Sequence, residues 1–201
     1  MALELSLAFR RSLFVHLCSI QGWLPATPLQ HAYGPLANFF NSYDGFTYIP
    51  FEPARVQFRR LCSEREWDKH SKKKAREGFR NALVKQFNVN YGTDETSLDN
   101  WRRLCAYIGF FPLPNTIEDC RMVILHTHVN LVDLVDGFNQ GVFVTVFRTV
   151  HELSAYTTST GKIFPRQNIH AGNLLKYLLR HIMHPELDDA DERRNGLAQS
   201  V

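Results

Sequence analysis

From residue 36 to residue 184 the apolar positions recur mostly at three- and four-residue intervals, the pattern of helices that each bury one face. Pro53 suits the first turn of a helix on which Ala54, Phe58, Leu61 and Cys62 share a side. Ser71 can cap a second helix, whose Ala75, Phe79, Ala82, Leu83 and Phe87 fall on one face. Gly78 lies inside it at a cost of about 1 kcal/mol relative to alanine, and Asn90 to Gly92 stop it. Ser97 opens a third, with Leu98, Trp101, Leu104, Cys105 and Ile108 on one stripe and Gly109 at its end. Thr116 to Asp119 form a capping box, with Asp in the usual Glu position, for a helix that buries Ile117, Cys120 and Ile124.

After His128 the pattern changes. VNLVDLVD and VFVTVFRTV alternate, are rich in β-branched residues and are separated by GFNQG, which predicts a β-hairpin, although the first arm could also continue as helix. Thr149 to Glu152 make another capping box for a short helix to about Thr157. Phe164-Pro165 predicts a last helix with Ala171, Leu175, Leu178, Leu179 and Ile182 facing inward. Upstream, PATPLQHAYGPL reads as a linker, followed by FFNSYDGFTYIPF as an aromatic strap without helical period.

FRRLC at 58–62 returns as WRRLC at 101–105, and Trp67 and Phe110 each lie nine residues beyond the leading aromatic. The repeated unit is an αα-hairpin used twice. At 100° per residue its aromatic, leucine and cysteine fall in one apolar arc, with Arg59 and Arg102 flanking it and Arg60 and Arg103 pointing away. Two copies predict a compact bundle rather than a stacked solenoid. The expected fold is therefore mainly α: a compact helical bundle with two related αα-hairpins and one small β-hairpin. Its limits are 1–35 as N-terminal extension and linker, 36–184 as one helical domain and 185–201 as an acidic flexible tail.

Composition adds a compartment and a charge asymmetry. Four cysteines without CxxC or paired histidine spacing fit neither a zinc site nor a secreted disulfide scaffold, so an intracellular setting, cytoplasm or nucleus, is expected. In MALELSLAFRRSLFVHLCSI two arginines precede a short, broken apolar run; a targeting segment, an extension and a gene-model artefact all stay open as readings. No segment is long enough for a transmembrane helix, and no membrane partner is expected. Net charge is only +3, yet between Arg55 and Lys85 eleven Lys/Arg face four Asp/Glu.

The blocks FFNSYDGFTYIPF, YGTDETSLDNWRRLC, HVNLVDLV and GKIFPRQNIHAGNLLKYLLRHI occur in this order over about residues 38–183. In this they resemble a family of filamentous-fungal proteins with an FF-x-x-Y-x-x-F-x-Y opening, YGTD…L-x-x-W-x-x-LC, HVNLVDLV and K-x-FP…LL-x-x-LLRHI. The resemblance implies a fungal source and one domain, and carries over no functional residue.

Several constellations fail on spacing. His126 and His128 diverge by about 200° on a helix; on a strand they could share an ion, but buried or capping roles suit them better. STGKI lacks the phosphate-loop glycine, Tyr156 standing there, and no Ser or Thr follows Lys162. Cys62, Cys105 and Cys120 lie on apolar faces, where thiols are inert. Asp133 and Asp136 would fall on opposite faces of an alternating strand. No catalytic residue, metal ligand or cofactor is assigned.

KHSKKKAREGFR is different. Lys69, Lys72, Lys73, Lys74, Arg76 and Arg80 cluster within little more than three helical turns, and 73, 76 and 80 align, joined by 69 if the helix starts early. Such a stripe can neutralise phosphates, and Trp67 nearby could stack on a base or pack the turn. The first expectation is a non-catalytic intracellular binding module of unknown ligand. The alternative is a nucleic-acid-binding protein using the basic 55–85 surface, an acidic protein being the other possible partner. An enzyme with a helix-walled pocket is least supported.

Overall fold

A computed structural model of the chain describes residues 34–188, apart from 167 and 169. Most of the expected extension and most of the expected tail lie outside the described residues. The protein is mainly helical, with one small two-stranded antiparallel pair. In chain order the elements are α1 (Pro35–Asn41), α2 (Ala54–Glu64), α3 (Lys69–Tyr91), α4 (Leu98–Ile108), α5 (Ile117–Leu125), β1 (His128–Val129), α6 (Leu131–Gln140), β2 (Val146–Phe147), α7 (Val150–Thr160) and α8 (Asn173–Lys176).

The 23-residue α3 is the spine. Helices α1, α4 and α6 all pack on it. Phe79, Leu83, Val84, Phe87 and Tyr91 are buried along it. Tyr91 donates to the Leu134 carbonyl at 2.8 Å and meets Tyr107 and Phe138 edge to face, tying α3, α4 and α6 into one core. Gln86 locks the chain entry: its Oε1 accepts from the Leu36 amide at 3.3 Å, and its Nε2 donates to Asn90. A Cβ on Gly34 would stand 2.6 Å from that same Oε1, so a larger residue there would have to displace the Gln86 amide. Gly78 has a packing reason too, because the Phe39 ring lies 3.0 Å from where its Cβ would be.

Helix starts follow the capping signals. Ser97, Thr116 and Thr149 each accept from the amide three residues on. The start of α3 comes earlier than Ser71: Asp68 caps it, accepting from the Ser71 amide at 2.7 Å, and so Lys69 joins the helix.

Three expectations are corrected. The segment LVDLVDGFNQ is helix α6, not the first arm of a hairpin, because Asn130 accepts from the amides of Val132 and Asp133 and starts a turn there. The antiparallel pair is narrower, joining His128 to Phe147 and Val129 to Val146 across that helix. Phe39 and Phe40 are helical in α1, so the aromatic strap begins only after it. After Pro165 the first helix described is the four-residue α8. There α3 side chains hold the chain: Asn88 donates to the His170 carbonyl, and Asn81 accepts from Asn168. Leu174, Leu175 and Leu178 are buried, whereas Ala171, Leu179 and Ile182 are only half-buried.

The repeated pentapeptide serves both helix pairs differently from its arcs. Leu61, Leu104 and Trp101 are fully buried. Arg60 and Arg103, expected to point outward, are half-buried. Arg60 straps the preceding loop, donating to the Thr47 carbonyl at 2.8 Å, lying 4.4 Å over the Phe46 ring and pairing with Glu52 and Glu64. Trp67 is half-buried against Tyr43, whereas Phe110 is exposed, so the two aromatics do not fill equivalent places. The expected free tail begins attached: Asp188 is buried and pairs with His181 Nδ1 at 2.8 Å.

Candidate polyanion interface

Asp68 turns the chain into α3, and the first turns of that helix carry the basic run outward. Lys69, Lys72, Lys73, Lys74, Arg76 and Arg80 are all exposed, while Ala75 and Phe79 between them are buried. At about 100° per residue Lys69, Lys73, Arg76 and Arg80 form one stripe, Lys72 stands at its edge and Lys74 turns about 140° away from Lys69. The stripe spans about 16 Å, the axial length of about five nucleotides of one strand. Among the described residues none of the six forms an ion pair or hydrogen bond through its side chain. Among the described residues, neither Glu77 within α3 nor Glu186 pairs with the stripe, and the tail carboxylates at 189–192 lie outside the described residues. Trp67 packs on Tyr43 at 5.4 Å between centroids, a turn-packing role.

The opposite wall of this surface is α2. Phe58 stacks on Phe79 with centroids 4.4 Å apart and planes 8° from parallel, setting the two helices in register. Lys72 and Arg76 come near enough for their charges to act on the Cys62 thiol, although burial prevails and raises its pKa. Arg55, one turn before Arg59 on α2, shares the neighbourhood of Arg76.

A second polar cluster escaped the sequence reading. On α6 Asp133 and Asp136 are one turn apart, not on opposite faces as an alternating strand would place them. Asp133 accepts from Lys162 Nζ at 2.6 Å and from Tyr156 Oη at 2.7 Å, and Lys162 also donates to Tyr156 Oη at 2.8 Å. Burial opposes the Lys162 charge, but the bonds to Asp133 and Tyr156 outweigh it and raise its pKa. Asp136 is buried and accepts from the Ala54 amide at 3.0 Å. Burial, seconded by Asp133, pushes its pKa up to about 7. The cluster ties α6, α7 and the start of α2 together. The readable signal was Asn130 followed by Leu131, Leu134, Val135 and Phe138, an N-cap and a helical period.

Beside Lys162 a cleft of about 30 Å³ opens between Asn130, Thr157, Phe164 and Arg180, room for about one water. Small-molecule sites occupy roughly 300–1,000 Å³. Cys105 and Cys120 are both buried, and burial raises both thiols. His128 is buried on β1 and His126 is exposed after α5. Among the described residues no group of three or more His, Cys, Asp or Glu could hold a metal ion, and no helix is long and apolar enough to cross a membrane.

Comparison of the chain with protein-family models, with curated proteins and with solved structures returned no match.

Proposed function

We propose that the protein is a non-catalytic intracellular binding module, and that the amino-terminal half of α3 is its contact surface for a polyanion, with nucleic acid as the ligand class. The carrying observation is that Lys69, Lys72, Lys73, Lys74, Arg76 and Arg80 are exposed together with no carboxylate partner among the described residues. Six like charges on so short a stretch repel one another, and chain stability alone does not favour them. An anionic ligand relieves that repulsion and releases its own counterions. The non-catalytic half of the reading draws on the buried Cys105 and Cys120 thiols, whose pKa values burial raises. Kinship with the filamentous-fungal family that the four blocks resemble is part of the same proposal.

The test is a titration with mixed-sequence DNA and RNA over a salt series. Binding should weaken steeply with salt, each neutralised duplex phosphate contributing a slope of about −0.9 in log K against log salt. Replacing Lys73, Arg76 and Arg80 by Glu should reduce that slope by about three such contributions. Absence of binding at low ionic strength, or binding indifferent to the triple substitution, would sink the reading.

A further inference from the structure

The cleft beside Lys162 is biased in charge. Three charged side chains line it, Lys162, Arg166 and Arg180, and all three are cations. Asp133 answers the Lys162 charge at 2.6 Å, and the nearby Asp188 carboxylate is held by His181 at 2.8 Å. Arg180 donates to the main-chain carbonyls of Ile124, Leu125 and Tyr177, which take its hydrogen bonds and leave its charge in place. Arg166 is exposed at the rim, and among the described residues its side chain has no hydrogen-bond or ion-pair partner.

The polar groups inside the cleft point the same way. Asn130 and Thr157 are buried. Asn130 Nδ2 donates to the Thr157 hydroxyl oxygen at 2.9 Å and to the Lys162 carbonyl at 3.0 Å, and so occupies the acceptors on that side. The Thr157 hydroxyl accepts this bond, but among the described residues its own hydrogen has no acceptor. A hydroxyl hydrogen rotates to suit its surroundings, and a buried donor left unmatched is costly. The rest of the lining, Leu153, Phe164 and Leu178 included, is apolar and offers no acceptor. What the cleft lacks is an acceptor that carries negative charge.

We propose that the cleft binds one monovalent anion of halide size, held by the Thr157 hydroxyl, the Lys162 ammonium and the Arg166 guanidinium, with Arg180 adding its charge. This site is independent of the nucleic-acid reading of α3. Its volume of about 30 Å³ sets the size of the ligand, since a water-sized sphere needs about 10–15 Å³. A single-atom ion enters; a phosphate group or a nucleotide does not. A water molecule fits as well but cancels no charge, and apolar walls strengthen the attraction between the cations and an anion. The ion bridges the start of α6, the end of α7, the stretch from Lys162 to Arg166 and the segment after α8, and so fastens the carboxy-terminal segment to the core.

The experiment unfolds the full chain in urea at constant ionic strength, with sodium chloride or bromide exchanged for sodium gluconate, whose anion is too large for the cleft. Chloride and bromide should raise the denaturation midpoint and the rise should saturate, as binding to the folded chain alone requires. The chloride NMR line should broaden with added protein. Arg166→Gln should weaken chloride binding at least about tenfold, the scale of one charge-assisted hydrogen bond, and leave the midpoint in gluconate unchanged. Lys85→Gln and the triple replacement of Lys73, Arg76 and Arg80 by Glu should keep the chloride response, since none of these residues lines the cleft. Should Arg166→Gln fail to fold, a saturable chloride response kept by the triple variant decides for the cleft. Equal midpoints in chloride and gluconate, or a response that Arg166→Gln leaves intact, would overturn the site. Loss of the response in the triple variant alone would put chloride on the α3 stripe, which removes the cleft site and leaves the nucleic-acid reading standing.

Discussion

The Phe58 ring lies flat on the Phe79 ring, 4.4 Å between centroids, and this contact sets the register of α2 on α3. Phe79 is buried and touches Phe39 and Phe40 as well. Phe79→Ala should therefore cost about 3–5 kcal/mol in chemical denaturation. A loss below about 1 kcal/mol would mean that the helices are held elsewhere.

Gly78→Ala offers a sharper check, because local propensity and packing predict opposite signs. On propensity alone alanine would gain about 1 kcal/mol in a helix interior. A Cβ there would stand 3.0 Å from the Phe39 ring, which Phe40, Tyr43, Phe58 and Phe79 surround and keep from yielding. The variant should be less stable than the parent chain. A rise in its denaturation midpoint would show that α1 can shift away from α3.

The pH dependence of stability should carry the mark of Asp136. Burial raises its folded pKa to about 7, above the unfolded value, so the folded chain holds a proton that the unfolded chain has released. Its contribution is fully present below the unfolded carboxylate pKa of about 3.9 and is lost as pH rises through about 7. Asp136→Asn keeps an oxygen for the Ala54 amide and removes the titration. Urea midpoints of the parent should fall between pH 5 and pH 8 more than those of the variant; parallel profiles would contradict a buried, protonated Asp136.

Leu178 follows α8 and is buried against the core although the helix expected around it is absent. Leu178→Ala should cost about 2–5 kcal/mol as a cavity substitution. An unchanged denaturation midpoint would make the carboxy-terminal segment peripheral. The Arg180 fork supports the same docking, donating to the Ile124, Leu125 and Thr127 carbonyls at the end of α5.

What the sequence by itself determined was local. Ser97, Thr116 and Thr149 announced helix starts, since a hydroxyl capping an amide three residues away needs no distant partner. The spacing of Ala75, Phe79, Ala82, Leu83 and Phe87 marked the buried face of α3, and the charge surplus after Arg55 marked its outer one. VNLVDLVD was ambiguous because its apolar positions satisfy periods of both 2 and 3.6; Asn130 resolves it by capping α6.

Only the tertiary structure decided which faces meet. Arg60 turns inward because Phe46, Thr47 and Glu52 lie where it can reach them, and helix angle alone carries no record of that loop. The stretch before α8 stays largely unwound because Asn88 and Asn81 on α3 compete for its polar groups. The Asp133–Tyr156–Lys162 cluster joins residues far apart in sequence. Such contacts depend on helix register and on which charges lack partners, and periodicity encodes neither.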